Sequence, residues 1–456
     1  VTRQAKFLDG SLMRHVVVMS LTSSVGLMAI FIVDLINIVY ISWLGDPEAT
    51  AAVGYAGAVL FFTTAFSIGA SIAVSALVAR ALGARDPDRA RELATSGMIW
   101  AAAMGTAFLA LVWAFTPQIT ALLGATGGTL EKTVHFLRIS LLGQPFLMAG
   151  IVGTAILRAH GDARRSMMTT VWGAVVLAAL DPVLIFGFGW GLTGAAWAGV
   201  LSRLAILLAA IWPILRHHGG FAPVHRAGLL GDLAPLAGIA APAILTQLAT
   251  PVGQAIVTRL VAGYGEAAVA GMAIAGRLTP VAFGVIFALS GALGPIIGQN
   301  YGAGRMDRVR RAFIDGLIFT GVVIVTISAL LFTFRGPIAD VFAARGVTRD
   351  LIYLFCGPLS LLFLFNGWIF VANAACNNLR APFLSTAVNW GRHTIGTLPP
   401  ALLLAEGMGM GPFGVLIGQS LGGVLFGLFA VWLALRVIAR VEPPPEAHPR
   451  SPSRTG

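Results

Sequence analysis

Charge is scarce in this chain. Only 11% of its 456 residues are Asp, Glu, Lys or Arg, where a typical soluble domain carries about 25%. Apolar residues make up 57%, more than a water-soluble fold can hide, so the bulk solvent is read as lipid. Cysteine is almost missing. Cys356 and Cys376 share one apolar segment and offer neither a disulfide framework nor a metal-ligand cluster. There is no phosphate loop with its lysine, no metal-spaced His/Glu set and no nucleotide-binding domain. No catalytic dyad stands at a predicted membrane face. An enzyme, a resident cofactor and ATP-driven export by this chain alone are therefore not expected. The net charge of +11 does not indicate a nucleic-acid partner either, because the arginines sit in short loops between apolar runs, where topology accounts for them.

What is present is a series of apolar runs of membrane-crossing length. They cover roughly 14–43, 51–81, 93–116, 133–158, 166–189, 192–216, 233–262, 272–299, 312–335, 350–378, 383–406 and 411–438. The first run follows Arg14 and imitates a signal peptide, but it lacks a small-residue cleavage site before Trp43, and eleven more runs follow. The tail after Arg440, rich in proline and polar residues, reads as disordered. Loops after even-numbered runs hold Arg80, Arg85, Arg89, Arg91, Arg158, Arg164, Arg165, Arg305, Arg308 and others. Loops after odd-numbered runs hold Lys132, Arg335, Arg345, Arg349 and little else. The positive-inside rule then puts both termini in the cytoplasm of a multi-pass inner-membrane protein, with the lipid bilayer as a standing partner.

The chain repeats itself. Gly83-Ala84-Arg85-Asp86-Pro87-Asp88-Arg89-Ala90-Arg91 matches Gly302-Ala303-Gly304-Arg305-Met306-Asp307-Arg308-Val309-Arg310 at five of nine positions, at an offset of 219. The same offset aligns Ala56-Gly57 with Ala275-Gly276. The expected fold is an all-α integral membrane protein of twelve helices in two pseudo-symmetric six-helix bundles. Its parts are an N-terminal lobe (1–216), a cytoplasmic linker (217–232), a C-terminal lobe (233–440) and a disordered tail (441–456). Parallel repeats of this kind flank a cleft and rock about an axis along the membrane normal, which is transporter architecture.

An ionisable residue inside a membrane helix is a functional candidate by default. Asp34 lies deep in the first run, with Asn37 one turn on and on the same face. Asp181 lies in the fifth, before Pro182, which removes a backbone donor. Two carboxylates in one lobe can share a proton or a sodium ion. The competing reading is structural pairing of Asp34 with Arg203 or with a helix N-terminus. The C-terminal lobe has no Asp or Glu from Ala267 to Arg305 or from Leu351 to Ala405, and repeat alignment sets Asp34 opposite Gln254. An amide carries no proton at these pH values, so coupling belongs to the N-terminal lobe. Arg259 and Arg277, near the predicted external ends, are read as snorkelling. Arg392 beside His393 either binds an anionic group or bonds within its bundle, and the second reading is preferred.

Several segments, taken together and in order, resemble the multidrug and toxic compound extrusion (MATE) family. They are Leu44-Gly45 with Ala51-Ala52-Val53-Gly54, and Gly143-Gln144-Pro145-Phe146 with Leu157-Arg158-Ala159-His160-Gly161-Asp162. Asp181-Pro182 with Ile185-Phe186-Gly187, and Gly298-Gln299-Asn300-Tyr301-Gly302, complete the set. The resemblance implies antiport of small organic, typically cationic, molecules against protons or sodium. Since one chain already contains both lobes, it is expected to act as a monomer. It makes Asp34 the essential acid of the first helix and Asp181 the acid of the N-lobe cation site of the DinF-like branch. Gln144, Gln254, Arg203 and Arg392 stand beside them as secondary candidates. The chain departs from that branch in three places. Leu177 stands where an Asn is usual and Gly199 where a Thr is usual, and no proline occurs between Arg14 and Trp43. The first two losses remove oxygen ligands that sodium needs, which favours the proton. If sodium binds, Asp34 and Asp181 are its ligands. A flippase of lipid-linked cargo in the same superfamily is the nearest alternative, and a membrane-embedded enzyme a more remote one.

Overall fold

The computed structural model describes residues 5–442; most of the predicted disordered tail lies outside the described residues. Those residues form helices and no strands. We number the membrane-crossing segments α1 (Leu12–Ser42), α2 (Pro47–Gly83), α3 (Pro87–Ala114), α4 (Gly127–Leu141 and Gln144–Ala159), α5 (Ala163–Pro182, prolonged by a π-turn at Val183–Gly187) and α6 (Gly191–His217). The second lobe holds α7 (Arg226–Ala262), α8 (Glu266–Ala282 and Gly284–Gly302), α9 (Met306–Val341), α10 (Gly346–Asn378), α11 (Pro382–His393 and Leu398–Leu402, with a π-turn at Leu403–Gly407) and α12 (Gly411–Arg440).

Nine of these segments are long and apolar enough to cross a membrane, α10 with a kink at Gly357, and α4 and α8, bent by 48° and 49°, raise the number to eleven. The twelfth, expected as one run over 383–406, is interrupted at Thr394–Thr397. There Gly391 and Gly396 are packed against the Phe426 ring, and Pro399-Pro400 starts a new helix rather than continuing the old one. Of the expected linker, only 218–225 is coil. Residues 226–232 are the first turns of α7, docked on α3 through Asp232, which accepts from Arg89 and, at 2.6 Å, from Ser96 Oγ. Trp100 Nε1 adds a bond to the Leu229 carbonyl at 3.0 Å.

Local chemistry sets the helix starts. Asp46, Asp86 and Asp162 each accept a hydrogen bond from the backbone N–H three residues on, and proline follows the first two. Asp162 also accepts from Arg165 at 2.6 Å and from His218 at 3.1 Å. Burial pushes its carboxyl up, but these hydrogen bonds outweigh it and hold the group well below the usual carboxylate range. The two halves repeat in detail. The left-handed turn after α2 falls on Arg85 (φ 60°) and the one after α8 on Gly304 (φ 72°), 219 positions later.

The lobes meet at the arginine-rich face. A Cβ on Gly83 would lie 2.0 Å from the Gln299 carbonyl oxygen, and one on Gly302 would lie 2.0 Å from the Arg80 carbonyl oxygen. Only glycine permits this crossing of α2 and α8. The side chains reach across in the same symmetric manner. Arg80 Nε donates to the Asn378 carbonyl at 2.9 Å, and Gln299 Nε2 donates to the Ala159 carbonyl at 2.7 Å. Each pair of counterparts, 80 with 299 and 159 with 378, is 219 positions apart. The N-terminal turn Lys6–Leu8 straps the joint. Phe7 N donates to Gln299 Oε1, and Lys6 Nζ donates to the Gly161 carbonyl. Arg305 donates to the Leu8 carbonyl, and Arg308 to that of Phe7.

Toward the opposite face the lobes part. Added Cβ atoms at Gly54 and Gly57 of α2 and at Gly276 of α8 would find nothing within 4 Å. The inner half of α8, Gly284–Gly302, packs along α2 while its outer half, Glu266–Ala282, hardly touches it, so the cleft is shut at the arginine-rich face and open at the other. Replacing Gly83 and Gly302 together by alanine is expected to wedge the shut face apart. Labelling of an Ala79→Cys probe, which sits against Gly298, should then rise several-fold in purified protein. Unchanged labelling would show that the crossing does not close this face.

Candidate functional site

The site is built where α1 leans on α5. Gly26 makes the approach possible, since a Cβ there would fall 2.1 Å from Thr170 Oγ1. Further along α1, Asn37 Nδ2 donates to Asp181 Oδ2 at 2.7 Å. Asp181 is 0% exposed, and its other oxygen, Oδ1, is enclosed without a hydrogen-bond partner among the described residues. Pro182 follows at once. Lacking an N–H, it leaves the Ala178 carbonyl without its usual helical donor, and the chain loosens into the π-turn Val183–Gly187. Asp34, three residues before Asn37, is exposed.

Arg203 of α6 acts on Asp34 electrostatically but forms no ion pair with it among the described residues. Its Nη1 donates to the Ser140 carbonyl at 2.5 Å, and its stem fills the space left by Gly143. Gln144, next in sequence, is buried. Its Nε2 donates to the Thr63 carbonyl at 3.2 Å and its Oε1 has no partner. The structure thus gathers Asp34, Asn37, Asp181 and Arg203 in one lobe, with Gln144 behind Arg203.

Two of the secondary candidates lie elsewhere. Gln254 is an exposed residue of α7 in the other lobe. Arg392 is occupied within its own bundle, with Nη1 donating to Asn366 Oδ1 at 2.7 Å and Nη2 paired with His393 Nε2 at 2.6 Å. It takes the bonding role preferred above. His393 is buried against Gly253, where a Cβ would fall 2.1 Å from Nδ1. A separate hollow of about 520 Å³ at the open-face loops, lined by Asp46, Lys132 and Trp190, is distinct from the acids. Its lysine is consumed by Asp46 at 2.5 Å and Glu48 at 2.9 Å. The hydrogen bond from Lys132, with that from Ala49 N, holds the Asp46 carboxyl below its ordinary value.

Chemically, the acid site offers one bonded and one unbonded carboxylate oxygen in an enclosed position, with a second carboxylate near it. An enclosed carboxylate oxygen without a donor is a place for a proton or a cation. A sodium ion would draw on Asp181 Oδ1, Asp34, the Asn37 side-chain oxygen and the freed Ala178 carbonyl. No group of three or more His, Cys, Asp or Glu side chains that could hold a metal occurs among the described residues. Sequence reading missed the pairing of Asn37 with Asp181 rather than with Asp34. It also missed the Arg80/Gln299 clasp, whose only signal was the repeat itself.

The MatE family profile matches residues 22–183 and 242–398, most of the chain. The chain belongs to the MatE family. MatE members are membrane transporters, not enzymes. A curated relative, the FAD transporter of Shewanella oneidensis, is 28% identical over 93% of this chain and 94% of its own. The multidrug export protein MepA of Staphylococcus aureus is 26% identical over 71% of this chain and 72% of its own. Among solved structures, the outward-facing conformation of a multidrug resistance MATE family transporter of the MOP superfamily superposes with a TM-score of 0.88. It is 22% identical, covering 96% of this chain and 98% of that one. That likeness supports the twelve-helix fold of this MatE protein.

In the MatE site, Asn37→Ala strips Asp181 of its donor. The expected cost is about 1–3 kcal/mol of stability at neutral pH, read as a lower melting temperature of the purified protein. Asn37→Ala with Asp181→Ala should lose less than the two single losses summed. Strict additivity would mean that the bond contributes nothing.

Proposed function

We propose that this transporter exports small organic compounds from the cytoplasm by alternating access, in exchange for protons. The observation that carries the reading is the acid pair. Asp34 and Asp181 stand in one lobe, Asp181 with an unpartnered oxygen, beside a cleft that is closed at one face and open at the other. A site that must load an ion on one side and release it on the other needs this combination. By the positive-inside rule the closed, arginine-rich face is cytoplasmic, so the cleft opens outward.

Leu177 and Gly199 contribute no oxygen ligands, and a proton needs only one carboxylate, which favours proton over sodium coupling. Anionic side chains at Asp34 and Asp181 suit a cationic cargo, in keeping with a relative named as a multidrug export protein. The relative named FAD transporter supports a second reading, in which the cargo is nucleotide-like.

The test is dye efflux from energised vesicles under a pH gradient or a sodium gradient imposed separately. Efflux should follow the pH gradient and fall to background in Asp34→Asn. Efflux that persists in the variant removes Asp34 from the mechanism, and efflux driven only by sodium overturns the proton.

A further inference from the structure

Arg158 is the last residue but one of α4, directly before the carbonyl that Gln299 clasps. Its side chain turns away from the clasp. The guanidinium lies against Gly291 of α8, where a Cβ would meet Nε at 3.6 Å, Cζ at 3.8 Å and Nη2 at 3.9 Å. Gly291 is eight residues, about 12 Å along the helix, deeper than Gln299. The charged head therefore lies between the lobes on the cleft side of the shut gate.

This head makes no hydrogen bond and no ion pair among the described residues, and its Nε is fully enclosed. No acid among the described residues compensates it. The facing helix has no Asp or Glu between Ala267 and Arg305. The nearest acid along its own chain, Asp162, is engaged by Arg165 and His218. The pseudo-symmetric position, 219 residues on, is Asn377, an amide. Arg158 is half-buried, with only Nε closed off, so its accessible Nη atoms are left for a ligand, and within a membrane such an unpaired charge marks a ligand path. The missing partner is an oxyanion.

We propose that Arg158 forms an oxyanion-binding site at the floor of the cleft, and that the cargo includes molecules bearing a carboxylate or phosphate group. This rests on the export reading for the meaning of cargo, but the binding site can be tested without transport. Guanidinium matches such a group by two parallel N–H···O bonds. Cargo with both charges would then meet the acids of α1 and α5 with its cationic part and Arg158 with its anionic part.

The experiment is equilibrium binding to the purified full chain in a neutral detergent without added lipid, so that no lipid headgroup supplies the anion. The probes are rhodamine B, which carries a free carboxylate, and its ethyl ester, which does not. Arg158→Gln should weaken rhodamine B by about tenfold and leave the ester unchanged, while Arg158→Lys keeps most of the affinity. Equal weakening of both probes, or of neither, would overturn the site, as would a wild type that binds no rhodamine B. If the Gln variant does not fold, the wild type decides the matter. Benzoate should displace rhodamine B where benzamide, of similar shape but uncharged, does not, and equal displacement would overturn the proposal. Vesicles that export neither dye while this binding pattern holds would defeat the export reading and leave the site standing.

Discussion

At the arginine-rich face the lobes meet glycine against carbonyl, twice. Gly83 rests on the Gln299 carbonyl and Gly302 on that of Arg80. With no Cβ between them, α2 and α8 approach closely enough for weak Cα–H···O contacts and continuous van der Waals packing, the means by which helices associate without a hydrophobic driving force. Everything cleft-ward depends on this joint. It separates the acids from the arginine-rich face and sets how far the lobes splay at the other. Because the two contacts are related by the repeat, the joint makes or breaks as a unit. The longer bonds of Arg80 and Gln299 and the N-terminal strap reinforce one closed geometry without creating it.

Onto this symmetric frame the chain places asymmetric chemistry. The N-terminal lobe holds Asp34 and Asp181, and the matching positions in the other lobe are Gln254 and an alanine, Ala401. The π-turn after Asp181 recurs at Leu403–Gly407, so the backbone device is shared and the charge is not. On the proposed exchange mechanism ion handling falls to that lobe alone; in the other, Arg392 and His393 are bonded to each other. Three acids outside the membrane are spent on capping. Asp46, Asp86 and Asp162 start helices, and the depressed carboxyls of Asp46 and Asp162 reflect donors gathered around them.

Much of this was legible beforehand, for physical reasons. Apolar run length and arginine bias report the bilayer directly, and an offset of 219 residues reports duplication directly. Acids inside apolar runs stand out because lipid makes them rare, so Asp34 and Asp181 could be named from their place in the sequence, although only Asp181 is buried. Other features were not legible because they depend on distances between segments far apart in sequence. Asn37 lies on one face with Asp34, yet its amide goes to Asp181, a choice made by how α1 leans on α5 through Gly26. The break at Thr394–Thr397 is set by Phe426 pressing on two glycines, which no hydropathy window detects. Arg158 looked like one more loop arginine, and only the lack of a partner for its head among the described residues distinguishes it.

The central claim is that one joint shuts one face while the other stands open, and that the two exchange. Paired spin labels measure this most directly. One pair replaces the exposed, repeat-related Ala51 and Ala270 at the open face, and a second replaces Arg85 and Gly304 at the shut face. As pH is changed across the range where the acids titrate, the two distance distributions should move oppositely, each with two populations, the long distance at one face accompanying the short distance at the other. Distances that stay single, or that lengthen together at both faces, would contradict a two-faced gate and with it the alternating cleft.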